Sequence, residues 1–195
     1  QERLVFLDGL RGWAALMVVF VHFRSFFHPS IDPDEITFFL SKGYLWVDFF
    51  FILSGFVMSY VYDIEHPQRH SIRDTFHYLI ARIARIYPLH FITLVATLLF
   101  FITVALINWG LEKESCCVFD GSLRNAESLV ANLFLIHAWG MFDWVTWNLP
   151  SWSLSAEFFC YLIFAALLTL DGENRKLALI ALACTTLLFY CLCLA

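Results

Sequence analysis

Apolar positions along the chain gather into six long runs separated by polar segments. The runs cover about 10–27, 44–62, 87–109, 128–142, 151–170 and 177–195. About 20 mostly apolar residues cross a hydrocarbon layer, so each run is a candidate membrane span. The fourth is the shortest; it is tilted, extended towards Trp147, or re-entrant. Pro88 suits the first turn of the third helix, and Pro150-Ser151-Trp152 opens the fifth. Tyr44, Trp46, Trp109, Trp144, Trp147 and Trp152 cluster near the ends of the runs, as interfacial aromatics do. Neither an internal repeat nor a low-complexity segment is visible.

Composition agrees with the pattern. Of 195 residues, 61% are hydrophobic and 15% charged, and 22 are Phe. Soluble domains carry about a quarter charged residues, so this chain has too little polar surface to cover a water-facing globule. The expected class is an all-α polytopic membrane protein of about six transmembrane helices. A net charge of −5 has little bearing on insertion, and no basic stretch points to nucleic acid. Cys160, Cys184, Cys191 and Cys193 lie in apolar runs and read as buried thiols. Cys116-Cys117 sits in a polar loop, and no metal-ligating Cys/His spacing occurs. The chain starts with Gln and stops inside an apolar run, so the expectation is the N-terminal portion of a longer protein.

With the N-terminus inside, Arg3, Arg11, Arg69, Arg73, Arg82 and Arg85 face the cytoplasm. Arg24, Lys42, Lys113, Arg124, Arg175 and Lys176 then face outward, which is a tie in the positive-inside count. Four arginines concentrated in 63–86 tip the balance towards a cytoplasmic N-terminus in the plasma (inner) membrane.

Charge within the runs is where chemistry is sought, because an ionisable group at membrane depth is costly and marks a site or a pathway. Arg11 and His22 are eleven residues apart. Eleven helical steps come within about 20° of three whole turns, so both leave one face, about 16 Å apart along the axis. Successive spans run antiparallel, so His22 and Asp48 share one side of the membrane at similar depth. A carboxylate beside an imidazole fixes its tautomer, and an imidazole so held can take a proton from a hydroxyl near neutral pH. Arg82 and Arg85 neighbour each other on a helix face, and guanidinium forks suit phosphate. Glu157, inside an apolar run, either lines a wet cavity or is a structural partner for one of the arginines. His90 and His137 lie in runs and could line a cavity.

Four stretches together carry a resemblance. They are Leu7-Asp8-Gly9-Leu10-Arg11-Gly12 ending in His22, Val47-Asp48 to Ser54-Gly55-Phe56, Arg82-Ile83-Ala84-Arg85-Ile86-Tyr87-Pro88, and Pro150-Ser151-Trp152-Ser153-Leu154-Ser155-Ala156-Glu157-Phe158-Phe159. In this order they resemble the acyltransferase-3 family of integral membrane acyltransferases. The resemblance implies a ten-helix core, of which residues 1–195 form a C-terminally incomplete part. It implies transfer of an acyl group, commonly acetyl, from acyl-coenzyme A to a hydroxyl of an extracytoplasmic glycan or other acceptor. Arg11 and His22 correspond to the family's Arg-x10-His pair, and Arg82 and Arg85 to its Arg-xx-Arg pair. Trp152, Ser153 and Glu157 fall in its fourth motif and are carried over as substrate-binding.

The expected mechanism has arginines holding the phosphates of coenzyme A and His22, oriented by Asp48, acting as general base; an acyl-histidine is a variant. Arg11 is expected to contact the donor or to pair with Glu157. The membrane lipid, the acyl-coenzyme A donor and the hydroxyl acceptor are the expected partners, with no metal. The same buried ionisable residues would also serve a proton-coupled transporter, and a scaffold without catalysis is the third reading.

Overall fold

The computed structural model describes residues 5–23, 42–43, 45–62, 70–111, 118, 124–143 and 147–194. Among them the chain forms six α-helices and no strand. These are α1 (Val5–Phe23), α2 (Leu45–Val61), α3 (Ile72–Gly110), α4 (Ala126–Leu133), α5 (Trp152–Leu168) and α6 (Gly172–Leu194). A 3-10 turn at Leu149–Ser151 leads into α5. Two compact units divide the chain, residues 1–65 and 66–195.

In the first unit α1 packs against α2. Arg11, Ala14 and Met17 are buried on α1, at the three-residue spacing of one helix face. Leu53, Ser54 and Met58 are buried on α2. Trp13, Leu16 and Phe20 stay exposed on α1. The turn before α2 approaches α1 closely: Gly43 is buried, and a Cβ there would collide with the Val21 side chain. Glycine is required by that contact. The end of α1 and the start of α2 therefore sit side by side.

In the second unit α3 is 39 residues long. At 1.5 Å per residue that is about 58 Å, nearly twice the hydrocarbon thickness. It begins fifteen residues before the start predicted from Pro88. The reason is local. The Ser71 hydroxyl accepts the Asp74 amide at 3.2 Å, and Asp74 accepts the Ser71 amide at 3.3 Å, a capping box that starts the helix there. Pro88 is absorbed inside the helix, where its ring removes one amide donor. Arg73, Arg82 and Arg85, which precede the third apolar run, all lie within this helix, and the helix-face reading of Arg82 and Arg85 holds. Arg69 and Cys116-Cys117 lie outside the described residues.

The fourth run does not form one helix. α4 has eight residues, capped by Asn125 and Ser128. It stops because Leu135 takes a left-handed conformation, φ 57°. The Leu135 amide then donates to the Asn132 carbonyl (3.0 Å) and the Ile136 amide to the Ala131 carbonyl (2.9 Å). Those two bonds are a Schellman closure, with leucine where glycine is usual.

α5 runs antiparallel to α3. Tyr78 meets Tyr161 and Phe164 edge-on or tilted, with ring centroids 6.3 and 5.5 Å apart. Further along, Asn148 donates to the Thr93 hydroxyl at 3.0 Å. At the far end the His70 amide reaches the Leu168 carbonyl at 3.0 Å. Arg175, expected as a loop cation, is 1% exposed. Its Nε donates to the Leu167 carbonyl (3.1 Å) and its Nη2 to the Leu170 carbonyl (2.8 Å), closing the end of α5. α3 and the run Leu149–Leu168 are long and apolar enough to cross a membrane. The apolar helices Gly9–Val21 and Leu45–Val61 are shorter.

Candidate functional site

The first unit carries Arg11, His22 and Asp48. Arg11 is 8% exposed, and its guanidinium carbon lies 5.2 Å from the centre of the Phe50 ring. A cation at that distance is attracted by the ring face. Asp48 lies in the first turn of α2 and is exposed. His22 belongs to the last turn of α1, but its side chain, and with it the expected His22–Asp48 contact, lies outside the described residues.

The second unit carries two polar groups beside α3 and α5. The first surrounds the arginine pair. Arg82 is half-buried and Arg85 exposed on α3. The Arg82 guanidinium carbon lies 5.6 Å from the centre of the Tyr78 ring. Tyr78 meets Tyr161, and the Tyr161 hydroxyl donates to the Glu157 carboxylate one turn earlier on α5. The antiparallel register, from Tyr78–Tyr161 to Thr93–Asn148, brings Glu157 level with Arg82 and Arg85. Glu157 is only 6% exposed, so its partner of first resort is a phenol.

The second group lies beyond the arginines along α3. His90 is 1% exposed, and its Nε2 lies 2.8 Å from the Asn132 carbonyl. Its ring stacks on His137, centroids 6.0 Å apart and planes 7° from parallel. His137 Nε2 lies 3.1 Å from the Ser151 hydroxyl, which donates to the Asn148 carbonyl at 2.6 Å. Ser155 donates to the Leu135 carbonyl (2.8 Å) and accepts the Ala138 amide (3.1 Å). Trp147 donates to the Ser128 hydroxyl at 3.0 Å. A buried polar network of this kind specifies one arrangement of its chain segments when its members are paired.

The chain matches the acyltransferase-domain family designated acyltransferase-3 over residues 4–195. It belongs to the acyltransferase-3 family. This acyltransferase-3 chain is 32% identical over 169 residues to acyltransferase MdmB of Streptomyces mycarofaciens, covering 83% of this chain and 38% of that protein. It is 39% identical over 107 residues to protein 2 in the picA locus of Rhizobium radiobacter, covering 55% of this chain and 50% of that one. The matched regions thus span half or less of these relatives. No solved structure matches.

Within the family's fourth motif the residues separate by what they touch. Ser153 donates to the Pro150 carbonyl at 3.1 Å, and Trp152 is partly exposed. The buried hydroxyls are those of Ser151 and Ser155, two residues to either side of Ser153. Sequence reasoning did not single out Tyr161, although it stands one turn beyond Glu157 on the same face, a spacing that could have been read. It also passed over Asn132 and Ser151. Their partners, the His90 and His137 rings, come from distant sequence, so no local spacing shows them. Among the described residues no group of three His, Cys, Asp or Glu side chains could hold a metal ion.

Proposed function

We propose that the chain is the donor-handling part of an integral membrane O-acyltransferase, moving an acyl group, acetyl foremost, from acyl-coenzyme A to a hydroxyl of an extracytoplasmic glycan or other acceptor. The observation that carries the reading is the pair Arg82 and Arg85, level with the buried Glu157–Tyr161 pair, in a chain of this family. Two guanidinium forks three residues apart suit the phosphates of coenzyme A. Tyr78 offers Arg82 a ring face that limits its freedom, which lowers the entropy lost on binding. The name of the MdmB relative supports acyl transfer.

The membrane setting rests on the family and on helices with exposed Leu89, Ile92, Phe100 and Phe189, side chains suited to lipid. In this reading the N-terminus and the arginine pair face the cytoplasm of an inner, or plasma, membrane. α4 is too short to cross and is re-entrant.

His22 takes the proton of the acceptor hydroxyl, whose oxygen attacks the thioester carbonyl. The carbon–sulfur bond breaks, and the proton passes to the leaving thiolate. Asp48 orients the imidazole, and Arg11 contacts the donor. The test is labelled acetyl-coenzyme A supplied to vesicles carrying the full-length protein. Label is expected on a hydroxyl of the acceptor and is lost in His22→Ala. Transfer at the normal rate by His22→Ala removes His22 from the chemistry, and the absence of any transfer by the intact protein removes the reading.

A further inference from the structure

The register between α3 and α5 sets the depth of the arginine pair. Three ties fix it: the His70 amide on the Leu168 carbonyl, the Tyr78 ring against Tyr161, and Asn148 on the Thr93 hydroxyl. The run Leu149–Leu168, apolar enough to cross a membrane, therefore lies alongside residues 70–93 of α3. Arg82 and Arg85 stand about 18 and 22 Å along the axis from His70, close to the middle of that run. The apolar run 87–109, taken alone, would put them outside the layer.

Charge marks the edge of the layer at the His70–Leu168 end. Arg73, Asp74 and His77 are exposed there on α3, and Asp171, Glu173 and Lys176 around the start of α6. Beyond that rim Glu157 is the one charged residue of α5, and α6 carries none after Lys176. A layer starting at Tyr87 would leave exposed Leu162, Leu177 and Ile180 in water. α3 is long enough to cross under either placement, whereas α5 crosses only when the layer starts at the rim. Yet Arg85 is exposed, and so are Ala81 and Pro88, its neighbours one turn to either side. A guanidinium at membrane depth faces water or protein, not lipid.

We infer that Arg82 and Arg85 lie inside the hydrocarbon layer, and that the face of α3 bearing Arg85 and Ala81 lines a water-filled cleft, open to the cytoplasm, that admits the donor's phosphates below the membrane surface. The inference rests on the membrane setting and the acyl-coenzyme A reading given above. Two guanidinium charges attract phosphate, and low-dielectric walls around a cleft strengthen the attraction. A donor held there has its anionic end already within the layer, so less of the layer remains for its acyl end to cross.

Single nitroxide labels are placed at Ala81→Cys, Leu162→Cys and Leu177→Cys in the full-length protein, with its native cysteines replaced, in phospholipid vesicles. Collisions with oxygen, which concentrates in hydrocarbon, are compared with collisions with a neutral nickel chelate, which stays in water. Leu162, exposed on α5 next to Tyr161, is expected to read deep, with oxygen collisions dominant. Leu177, at the charged rim, is expected to read shallow. By the register Ala81 lies about 6 Å deeper than Leu162, yet it is expected to collide with the nickel chelate. Adenosine 3′,5′-diphosphate should abolish those collisions at Ala81 and leave the other two labels unchanged. A shallow Leu162 overturns the depth of the arginine pair. A deep Leu162 with Ala81 closed to nickel overturns the cleft. Nickel collisions at Ala81 that the nucleotide does not abolish leave the cleft standing and remove the donor's phosphates from it. Oxygen-poor readings at all three labels remove the membrane setting itself.

Discussion

The Tyr161 hydroxyl donates to the Glu157 carboxylate across one turn of α5, and both residues are buried beside the arginine pair of α3. A buried carboxylate needs a donor, and the phenol supplies one. Tyr161→Phe keeps the ring against Tyr78 and removes only that donor. The expected loss of stability is about 1–3 kcal/mol, the cost of an unsatisfied buried acceptor. Thermal unfolding in detergent measures it. Adding Glu157→Gln should recover part of the loss, because a neutral amide is cheaper to bury. Full stability in Tyr161→Phe alone would show that the carboxylate finds another donor.

Arg82 and Arg85 should both matter to donor affinity, but not equally. Arg82→Lys gives up the planar fork and the stacking on Tyr78, whereas Arg85→Lys gives up only the fork. About tenfold weaker binding of coenzyme A is expected for Arg82→Lys, and less for Arg85→Lys. Adenosine 3′,5′-diphosphate should weaken in parallel, because the phosphates are the contact. Undiminished binding in both variants would place the phosphates elsewhere.

Gly43→Ala tests the close approach of the α2 turn to α1. The new methyl group meets Val21, a stiff β-branched side chain, so backbone must move. Overpacking of this kind costs about 1–3 kcal/mol. Val21→Ala should relieve the cost in the double variant, and a double-mutant cycle read by thermal unfolding measures the coupling. Additive effects would mean that the two positions do not touch.

Asp171 gives α6 a pH dependence. It accepts the Asn174 amide at 3.0 Å and the Asn174 side chain at 2.8 Å, and these bonds hold its carboxyl below the usual carboxylate value. A depressed pKa means that the stabilisation is present above the unfolded value and is lost as pH falls through the folded one, below about 4. Amide exchange at Asn174 should quicken there. Asp171→Asn can still cap the turn and should remove this pH dependence. Unchanged exchange through the acid range would detach Asp171 from the helix start.

The apolar runs were legible because helix-forming hydrophobic segments announce themselves residue by residue. Five of the six correspond to helices α1, α2, α3, α5 and α6, with shifted ends. The motif residues Arg82, Arg85 and Glu157 were legible too, as charges set in apolar surroundings. The helix starts were less so. The Ser71–Asp74 box was present in the residues, but Pro88 was the louder signal for the start of α3. The end of α4 gave no warning, since Leu135 holds a position where glycine is the usual sign.

Composition and order thus determined that the chain is helical and apolar, where its charges lie, and which family motifs it carries, since each of these depends on residues near one another in sequence. Only the tertiary structure decided that Glu157 bonds to Tyr161, that Arg175 seals a helix end and that His90 lies against His137. Those choices depend on the register between helices. That register is set by the summed packing of many side chains and by bonds such as Asn148 to Thr93, 55 residues apart.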